Sequence, residues 1–449
     1  MNNLSEVAQA LAAGQTTSRE LVKAALSRIP QAPHAFISVQ ADAALVGAEA
    51  SDRRRIEGRL LSAIDGIPIA VKDLIDIAGT VTTAGSETRR NLAPAPDDAE
   101  VVSSMRSVGL IPIGKTNLSE FAFSGLGPNP HFGTPTPSYS ADQRVPGGSS
   151  SGSAIAVERG VVLASIGSDT TGSIRVPAAF NGLYGFRPST GRYSMRGVHP
   201  LARSFDTLGP IATSASDCLL IDQAMCGIAP EPVYPIPTDR LEFVVDKTIL
   251  DEKDIQPAVR ENLNIVLAAL ERAGAKVVVC DVDVVSRVRD LIARCGWLGS
   301  HEAWTFLKDI VMGEKGHMLD RRVRTRLLAS SEMALEQVVS LYRERQHVML
   351  EVAQAFRGKV FVTPTVKHVA PRLADVEDDD VFSQINLATL SLTMIGSFLD
   401  MPGFAIPTGT DGSGGNTSAL FSVSNGQDAR LLRSAVGIDH ILRQQGKGK

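Results

Sequence analysis

Two segments rich in glycine and hydroxyl side chains carry most of the chemistry that this sequence can support. They read Pro146-Gly-Gly-Ser-Ser-Ser-Gly-Ser153 and Gly167-Ser-Asp-Thr-Thr-Gly-Ser173, and each precedes a stretch of helical character. Glycine frees the backbone, and the N–H groups exposed at a helix start form a ready site for an anion or an oxyanion. Neither segment contains the Gly-Lys-Ser/Thr of a P-loop or fits GxGxxG, which argues against a phosphate-binding loop.

A formal match to GxSxG, the nucleophile elbow of α/β-hydrolases, lies at residues 148–152. That motif requires a hydrophobic strand directly before it, because the strand presents the serine at the edge of the sheet. Residues 136–144 read Thr-Pro-Ser-Tyr-Ser-Ala-Asp-Gln-Arg, which is typical of a loop. The elbow is therefore not the favoured interpretation of this segment.

Four short sequence motifs follow one another along the chain. Together they indicate a protein family far more specifically than any one of them does alone. They are Gly66-Ile-Pro-Ile-Ala-Val-Lys72-Asp73, Gly114-Lys-Thr-Asn117, Gly147-Gly-Ser149-Ser-Ser-Gly-Ser153 and Asp169-Thr-Thr-Gly-Ser173-Ile-Arg175-Val-Pro-Ala178. In this order they resemble the amidase signature family, nearest to its bacterial amidase, carboxybiuret hydrolase and allophanate hydrolase branches. The resemblance is dense over residues 66–188, thin over 204–210, and returns at 401–407. It implies an α/β fold with a central twisted mixed β-sheet covered by helices on both faces.

The resemblance also implies a catalytic triad that needs no histidine, metal or cofactor. Ser173 falls on the position of the nucleophile, Ser149 on that of the bridging serine 24 positions earlier, and Lys72 on that of the base. A serine hydroxyl needs a base within ~2.6–3.2 Å, and a lysine with its usual pKa near ~10.4 is protonated. Burial beside residues 69–71 would lower the pKa of Lys72, and Ser149, after a cis peptide from Gly148, would relay the proton.

The turn before Ser173 is expected to form the oxyanion hole. Its candidate donors are the backbone N–H groups of Thr170, Thr171, Gly172 and Ser173, with Asp169, Arg175 and Ser150 holding the loop in shape. Thr171 stands where much of the family has glycine. Because a β-branched residue avoids positive φ, its backbone should either lie in an ordinary region or be strained, and its side chain would narrow the acyl pocket.

The elements around these segments alternate between strand and helix. Strand patterns at residues 67–71 and 161–166 and helix patterns at 152–159 and 173–180 predict β–turn–α units and a largely parallel sheet, with a turn over 167–172. We expect residues 1–449 to form a single large domain, with a signature core at 66–210. The variable region at 228–381 would shape substrate selection.

Several further features have two interpretations each. His131 and Phe123 are candidates for the substrate pocket, although a scaffold or packing role suits them equally well. The basic run at residues 321–326 is typical of a solvated helix face, with contact to a substrate carboxylate as the alternative. The apolar residues 382–399 are interrupted by polar side chains, which favours a buried core helix over a membrane span.

The composition of the chain limits the classes of substrate, cofactor and partner that we expect. A formal net charge of −4 gives no reason to expect nucleic acid or an anionic membrane, so a small-molecule amide is the expected substrate. Four irregularly spaced cysteines indicate reduced thiols rather than zinc ligands, and no cofactor is expected. The start of the chain lacks a signal-peptide pattern, which predicts a cytoplasmic protein. The resemblance to bacterial branches of the family implies a bacterial one. A homodimer is common among relatives, and a small accessory chain is compatible with the sequence.

The sequence thus predicts an amidohydrolase that converts R–CO–NH–R′ and water into an acid and an amine or ammonia. The first alternative is a glutamine-dependent A-type amidotransferase subunit that releases ammonia for tRNA amidation. The second is a non-catalytic, amidase-like binding subunit, suggested by Thr171 in the oxyanion turn. Ester or urea-derivative hydrolysis at the same site differs only in the substrate.

Overall fold

A computed structural model describes residues 3–332 and 334–446 of the protein. The strands are β1 Phe36–Val39, β2 Pro68–Lys72, β3 Ile111–Thr116, β4 Ala164–Asp169, β5 Tyr184–Arg187, β6 Thr207–Ala212, β7 Glu242–Asp246, β8 Lys276–Cys280, β9 Lys359–Pro364, β10 Gly403–Thr410 and β11 Asn416–Ser422. The helices are α1 Leu4–Ala12, α2 Ser18–Arg28, α3 Ala41–Ile56, α4 Glu100–Ser107, α5 Ser151–Glu158, α6 Arg175–Phe180, α7 Ala215–Met225, α8 Lys247–Leu250, α9 Pro257–Arg272, α10 Asp283–Cys295, α11 Leu298–Met312, α12 Arg321–Ala329, α13 Leu335–Ala355, α14 Asp379–Phe398 and α15 Asp428–Gly446.

The described strands form one sheet in the order β1-β3-β2-β4-β6-β5-β10-β11-β9-β7-β8. β2 pairs in parallel with β3 and β4, and β7 pairs in parallel with β8 and β9. Between these two parallel groups, β4, β6, β5, β10, β11 and β9 pair antiparallel. The sheet is therefore mixed, and the expectation of a largely parallel sheet was wrong because β6 lies antiparallel between the parallel strands β4 and β5, and β11 lies antiparallel between β10 and β9.

Helices cover both faces of the sheet. Alternate residues of β2 point to opposite sides: Ile69 and Val71 belong to one hydrophobic cluster and Ala70 to another. The first cluster includes buried side chains of α1, α4, α7, α9 and α15, and the second includes those of α2, α3, α5 and α6. This arrangement confirms the predicted α/β fold class and explains why β2 is buried along its whole length.

The chemistry-bearing segments sit where strands end and helices begin. β2 ends at Lys72 and its parallel neighbour β4 ends at Asp169, so both carboxyl ends meet at the same edge of the sheet. The predicted turn over residues 167–172 was too long at its start. Residues 167–169 belong to β4, because Gly167 and Asp169 pair with Gly209 and Thr207 of β6.

Helix α14 is, among the described residues, long and apolar enough to cross a bilayer by length and composition. However, 61% of its most apolar window is buried inside the protein. Its buried residues include Phe382, Leu392, Ile395 and Phe398, which pack in two of the hydrophobic clusters. The helix is thus part of the core, as its polar interruptions predict.

Candidate active site

Lys72 lies at the end of β2 with its side chain fully buried. Its Nζ donates to three hydroxyl oxygens: Ser149 Oγ at 2.7 Å, Ser150 Oγ at 2.9 Å and Ser168 Oγ at 2.9 Å. Burial lowers the pKa of Lys72 to about 7, although the negative charges of Asp169 and Asp206 partly oppose that change. Near neutral pH, Lys72 can therefore exist with or without its extra proton, which is the property a general base requires.

Ser149 follows a cis peptide bond from Gly148, as the sequence predicts. The Ser149 carbonyl oxygen accepts a hydrogen bond from Ser119 N at 3.1 Å, which anchors the loop before α5. A Cβ atom at Gly148 would lie 2.6 Å from Ser124 O and 2.7 Å from Gly127 N, closer than real Cβ atoms approach backbone. Glycine is thus required beside Ser149 by close packing.

Ser173 lies in the turn between β4 and α6, with only 5% of its surface exposed. Ser150 N donates to Ser173 O at 3.2 Å, which joins the two Gly/Ser segments directly. No hydrogen bond within the described residues uses the N–H groups of Thr171, Gly172 or Ser173. Buried N–H groups are almost always paired, so three free donors in one turn are available to a ligand oxygen.

The backbone angles of this turn show how Thr171 is accommodated where much of the family has glycine. Positive φ falls on Gly172, at +149°, whereas Thr171 does not adopt positive φ. A Cβ atom at Gly172 would also lie 2.4 Å from Thr393 Oγ1. The threonine is therefore accommodated without positive φ, and its contribution is to line the cavity in front of Ser173.

Asp169 and Arg175 form a buried bidentate pair beside the turn. Arg175 Nη2 lies 2.9 Å from Asp169 Oδ1 and Arg175 Nε lies 3.0 Å from Asp169 Oδ2, and both side chains are inaccessible to solvent. Burial opposes ionisation of Asp169, but Arg175 and then Arg187 outweigh it and hold the pKa of Asp169 below its ordinary value. Asp169 Oδ2 also accepts from Ile174 N at 3.1 Å, so the carboxylate fixes the start of α6.

A cavity of about 160 Å³ opens in front of Ser173. It is lined by Ala122, Phe123, Ser124, Gly125, Thr170, Thr171, Ser173, Leu201, Trp297, Gly299, Ser300, Arg326, Asn386, Leu387, Leu390 and Met394. Phe123 thus lies in the cavity wall. His131 lies outside the lining and pairs through Nε2 with Glu120 Oε1 at 3.1 Å. That contact, opposed by burial, raises the pKa of His131.

The arginines of the basic run at residues 321–326 lie in two different environments. Arg321 and Arg322 pair with Asp379, whereas Arg326 turns inward and its Nη1 donates to Phe123 O at 2.6 Å. The Arg326 guanidinium lies 4.5 Å from the centre of the Phe123 ring. Burial lowers the pKa of Arg326 to about 10, so it stays charged at neutral pH. The helix-face interpretation therefore fits most of the run but not Arg326.

Two residues of the site were not predicted from the sequence. Ser168 supplies the third acceptor for Lys72, and Asp206 accepts a hydrogen bond from Thr170 Oγ1 at 2.6 Å. A signal for Ser168 was available, because a buried ammonium needs three acceptors and the predicted site offers it only Ser149 and Ser150. Asp206 lies in the thin second part of the resemblance, and nothing local in the sequence indicates that it faces Thr170.

The chain is similar to known proteins over most of its length. The family model described as Amidase matches residues 20–432. The A-type subunit of glutamyl-tRNA(Gln) amidotransferase from Cupriavidus necator is 32% identical, with 100% of this chain and 98% of that protein aligned. AtzE, a 1-carboxybiuret hydrolase component from Pseudomonas sp. (strain ADP), is 40% identical, over 51% of this chain and 50% of that protein.

The fold is shared with a solved structure. A protein described as an amidase superposes with a TM-score of 0.87 and 29% sequence identity, covering 98% of this chain and 100% of the other. The two proteins thus share one fold over nearly the whole length of both chains.

Proposed function

Because the chain belongs to the amidase family, whose enzymes hydrolyse amide C–N bonds, we propose that it hydrolyses a small carboxamide bearing an anionic group. In this proposal Ser173 forms the acyl-enzyme, and Ser149 and Lys72 relay protons. The single observation that carries the proposal is the buried Lys72, whose Nζ lies 2.7 Å from Ser149 Oγ. A buried lysine without a carboxylate partner at contact distance is costly, and that cost is typical of a functional site.

The hydrogen bonds around Lys72 support its role as a base. Ser150 Oγ donates its proton to Ser168 O at 3.2 Å, so toward Lys72 it can only accept. Ser168 Oγ takes a second N–H of the amine. A neutral amine has two N–H groups and one lone pair, which leaves the lone pair for the proton of Ser149 Oγ. The arrangement therefore suits proton transfer from Ser149 to Lys72.

In this proposal, acylation uses the same proton relay. Ser173 Oγ attacks the amide carbon as its proton moves to Ser149 Oγ, whose own proton moves to Lys72 Nζ. The free N–H groups of Thr171, Gly172 and Ser173 hydrogen-bond the oxyanion, and one good donor of this kind is worth ~3–4 kcal/mol. Thr170 N, the fourth predicted donor, lies at the start of the same turn.

Breakdown of the tetrahedral intermediate reverses the proton path. The C–N bond breaks, the leaving nitrogen takes a proton from Ser149, and Lys72 returns its proton to Ser149. A water molecule then attacks the acyl-enzyme carbonyl, gives its proton to the same relay, and releases the acid while Ser173 regains its hydroxyl. No cofactor enters the cycle.

Arg326 supports the proposed class of substrate. Within the described residues, no carboxylate lies within 4.0 Å of its guanidinium, although the buried arginines of the site, such as Arg175, have one. An arginine that faces a cavity without an acidic partner is complementary to a carboxylate. The Pseudomonas relative is named for a carboxylated substrate, 1-carboxybiuret, which agrees with this inference.

The charge of the cavity also distinguishes the two enzymatic alternatives. Its described lining contains Arg326 but no aspartate or glutamate. An α-amino acid such as glutamine carries an ammonium as well as a carboxylate, and this lining offers no anion to the ammonium. The full-length similarity to an A-type amidotransferase protein keeps glutamine as the second candidate substrate. The cavity favours a carboxylate-bearing amide that lacks an ammonium group.

A substrate panel tests the proposal. Monoamides of dicarboxylic acids, matched neutral amides, urea-derived amides and glutamine should be compared at one pH, with Ser173→Ala as the inactive control. We expect turnover of the anionic amides and loss of activity by ~10⁴-fold or more in Ser173→Ala. Glutaminase activity as the main reaction, especially if stimulated by tRNA, would establish the amidotransferase alternative instead.

Covalent labelling tests the nucleophile separately. A fluorophosphonate probe should label wild-type protein once, at Ser173, and leave Ser173→Ala unlabelled. Failure of the wild type to label or to turn over any amide would support the non-catalytic binding role.

The cytoplasmic location and the homodimer remain predictions. Light scattering of the purified protein measures its oligomeric state, with or without an accessory chain.

A further inference from the structure

Asp206 is a buried carboxylate with an unusual set of partners. It directly precedes β6, and only 7% of its surface is exposed. Its Oδ1 accepts from Thr170 Oγ1 at 2.6 Å, and its Oδ2 accepts from Leu201 N at 2.8 Å and Ala202 N at 2.9 Å. One carboxylate thus joins the turn that carries Ser173 to the loop before β6.

Two partners of Asp206 belong to the wall of the cavity. Thr170 begins the turn that carries Ser173, Leu201 belongs to the loop before β6, and both residues line the cavity. Next to this contact, Thr207 Oγ1 donates to Asp169 O at 3.0 Å, so the end of β4 and the start of β6 are also tied together. Asp206 therefore connects two residues of the cavity lining, Thr170 and Leu201, through hydrogen bonds.

The charge of Asp206 has no partner at contact distance. Within the described residues, no lysine, arginine or histidine nitrogen lies within 4.0 Å of its carboxylate. The charged groups that act on it are Lys72 of β2 and Glu302 of α11. A buried carboxylate is a costly way to hold two loops, because a neutral amide could accept some of the same hydrogen bonds.

The negative charge of Asp206 affects the pKa of Lys72, and burial affects the pKa of Asp206 itself. Asp206 raises the pKa of Lys72 and so stabilises the protonated lysine that forms when Ser173 attacks. Burial, opposed by the hydrogen bond from Thr170, raises the pKa of Asp206 itself to about 6. At neutral pH the carboxylate is therefore ionised, and it can accept all three hydrogen bonds while acting on Lys72.

We propose that Asp206 is a positioning residue for the amide reaction: through Thr170 it holds the oxyanion turn at its working distance from the Leu201 wall, and its charge favours proton transfer to Lys72. This inference rests on the proposed function. Asp206 touches neither substrate nor Ser173 in this role, and its effect should appear in kcat and in the pH profile rather than in substrate affinity.

Asp206→Asn and Thr170→Val separate the two parts of the proposal. The amide in Asp206→Asn can rotate so that its oxygen faces Leu201 N and Ala202 N and its NH₂ group donates to Thr170, which preserves the fold but removes the charge. Thr170→Val is nearly isosteric and removes the hydroxyl while the charge remains. We expect kcat to fall by ~10–100-fold in each, with little change in KM. Asp206→Asn loses the charge that favours proton transfer to Lys72, and Thr170→Val allows a small misplacement of the oxyanion donors, which has an effect of this size.

The pH profile and a double-mutant cycle are two further measurements. Their results would not change in the predicted way if Asp206 only stabilised the fold. Without the charge of Asp206, the pKa of Lys72 falls, so the acidic limb of kcat/KM should shift to lower pH in Asp206→Asn but not in Thr170→Val. Thr170→Ser keeps the hydroxyl and should restore most of the activity. The Asp206→Asn/Thr170→Val double variant should lose about the product of the single losses, since one substitution removes the charge and the other removes the hydrogen bond.

Asp217→Asn is a matched control. Asp217 is also a buried carboxylate that accepts one backbone N–H, from Leu4 at 2.9 Å, and one threonine hydroxyl, from Thr213 at 2.9 Å, but it lies on α7 away from the cavity. We expect it to lose stability but keep its kcat and its acidic limb. If Asp206→Asn and Thr170→Val behave in the same way as Asp217→Asn, the proposal is overturned. If wild-type protein neither labels nor hydrolyses amides, it is the proposed function that fails.

Discussion

Lys72 Nζ lies 2.9 Å from Ser168 Oγ, although the two residues are 96 positions apart and Ser168 is absent from the predicted triad. The contact forms because Lys72 ends β2 and Ser168 lies near the end of β4, and these strands are parallel neighbours. Ser168 thus takes one N–H of the lysine. In the mechanism that we propose, this contact directs the lone pair of the neutral amine toward Ser149.

Ser168→Ala should therefore reduce activity without unfolding the protein. Loss of one acceptor leaves the lysine less well oriented, and we expect kcat to fall by roughly 10-fold. A protonated lysine loses more from the missing acceptor than a neutral one, so the pKa of Lys72 and the acidic limb of kcat/KM should both move down. A pH–rate profile and a melting curve test this, and an upward shift of the limb would contradict it.

The wild-type pH profile provides a second prediction. The pKa of Lys72 is lowered to about 7 by burial, and the neutral amine is the base, so kcat/KM should rise as pH increases through about 7. An enzyme that used a lysine of ordinary pKa would keep gaining activity up to pH ~10. The initial rate over a broad pH range, with an ester and an amide substrate, distinguishes these profiles.

Lys72→Met should abolish turnover and increase stability. The pKa of Lys72 is lower in the folded than in the unfolded state, so the unfolded state binds more protons at pH values between these two pKa values. The free energy of unfolding of the wild type therefore rises with pH from about 7 upward. The destabilisation caused by burying Lys72 is largest at pH 7 and below. The gain of Lys72→Met over wild type, measured by denaturant unfolding, should shrink between pH 7 and pH 10. The exposed Lys253→Met should show no such trend.

Thr171→Gly should widen the cavity in front of Ser173. Thr171 lines the cavity and adopts no positive φ, so glycine is tolerated there and costs only ~0.5–1 kcal/mol in chain entropy. We expect kcat/KM to increase for amides with bulkier acyl groups relative to small ones. Gly172→Ala is the contrasting variant, because its Cβ would meet Thr393 Oγ1 at 2.4 Å, and it should lose activity toward every substrate.

Arg326→Met should separate anionic from neutral substrates. Removing the guanidinium should raise KM for carboxylate-bearing amides by ~10–100-fold, the usual loss of one charge-assisted contact, and leave matched neutral amides nearly unchanged. Arg324→Met, on the exposed side of α12, is the control and should change neither. Equal losses for anionic and neutral amides in Arg326→Met would assign the arginine to packing against Phe123 instead.

The family, the α/β class and the segments that carry the candidate triad were accessible from the sequence. Short motifs such as residues 147–153 and 169–175 have strict local requirements, including glycine at residue 148, where close packing excludes a side chain, and at residue 172, where φ is positive. Local patterns of this kind are written in consecutive residues, and so they can be recognised without a structure. The roles of Lys72, Ser149 and Ser173 were proposed on the same basis.

The tertiary structure decided which distant side chains meet. His131 pairs with Glu120 rather than lining the cavity, Arg326 turns inward while its neighbours pair at the surface, and Asp206 reaches Thr170 across 36 positions. None of these contacts follows from periodicity, because they depend on how β2, β4, β6 and α12 pack against one another. The sequence therefore indicated the chemistry that we propose for Ser173, and packing determined the charge and the width of the cavity that Ser173 lines.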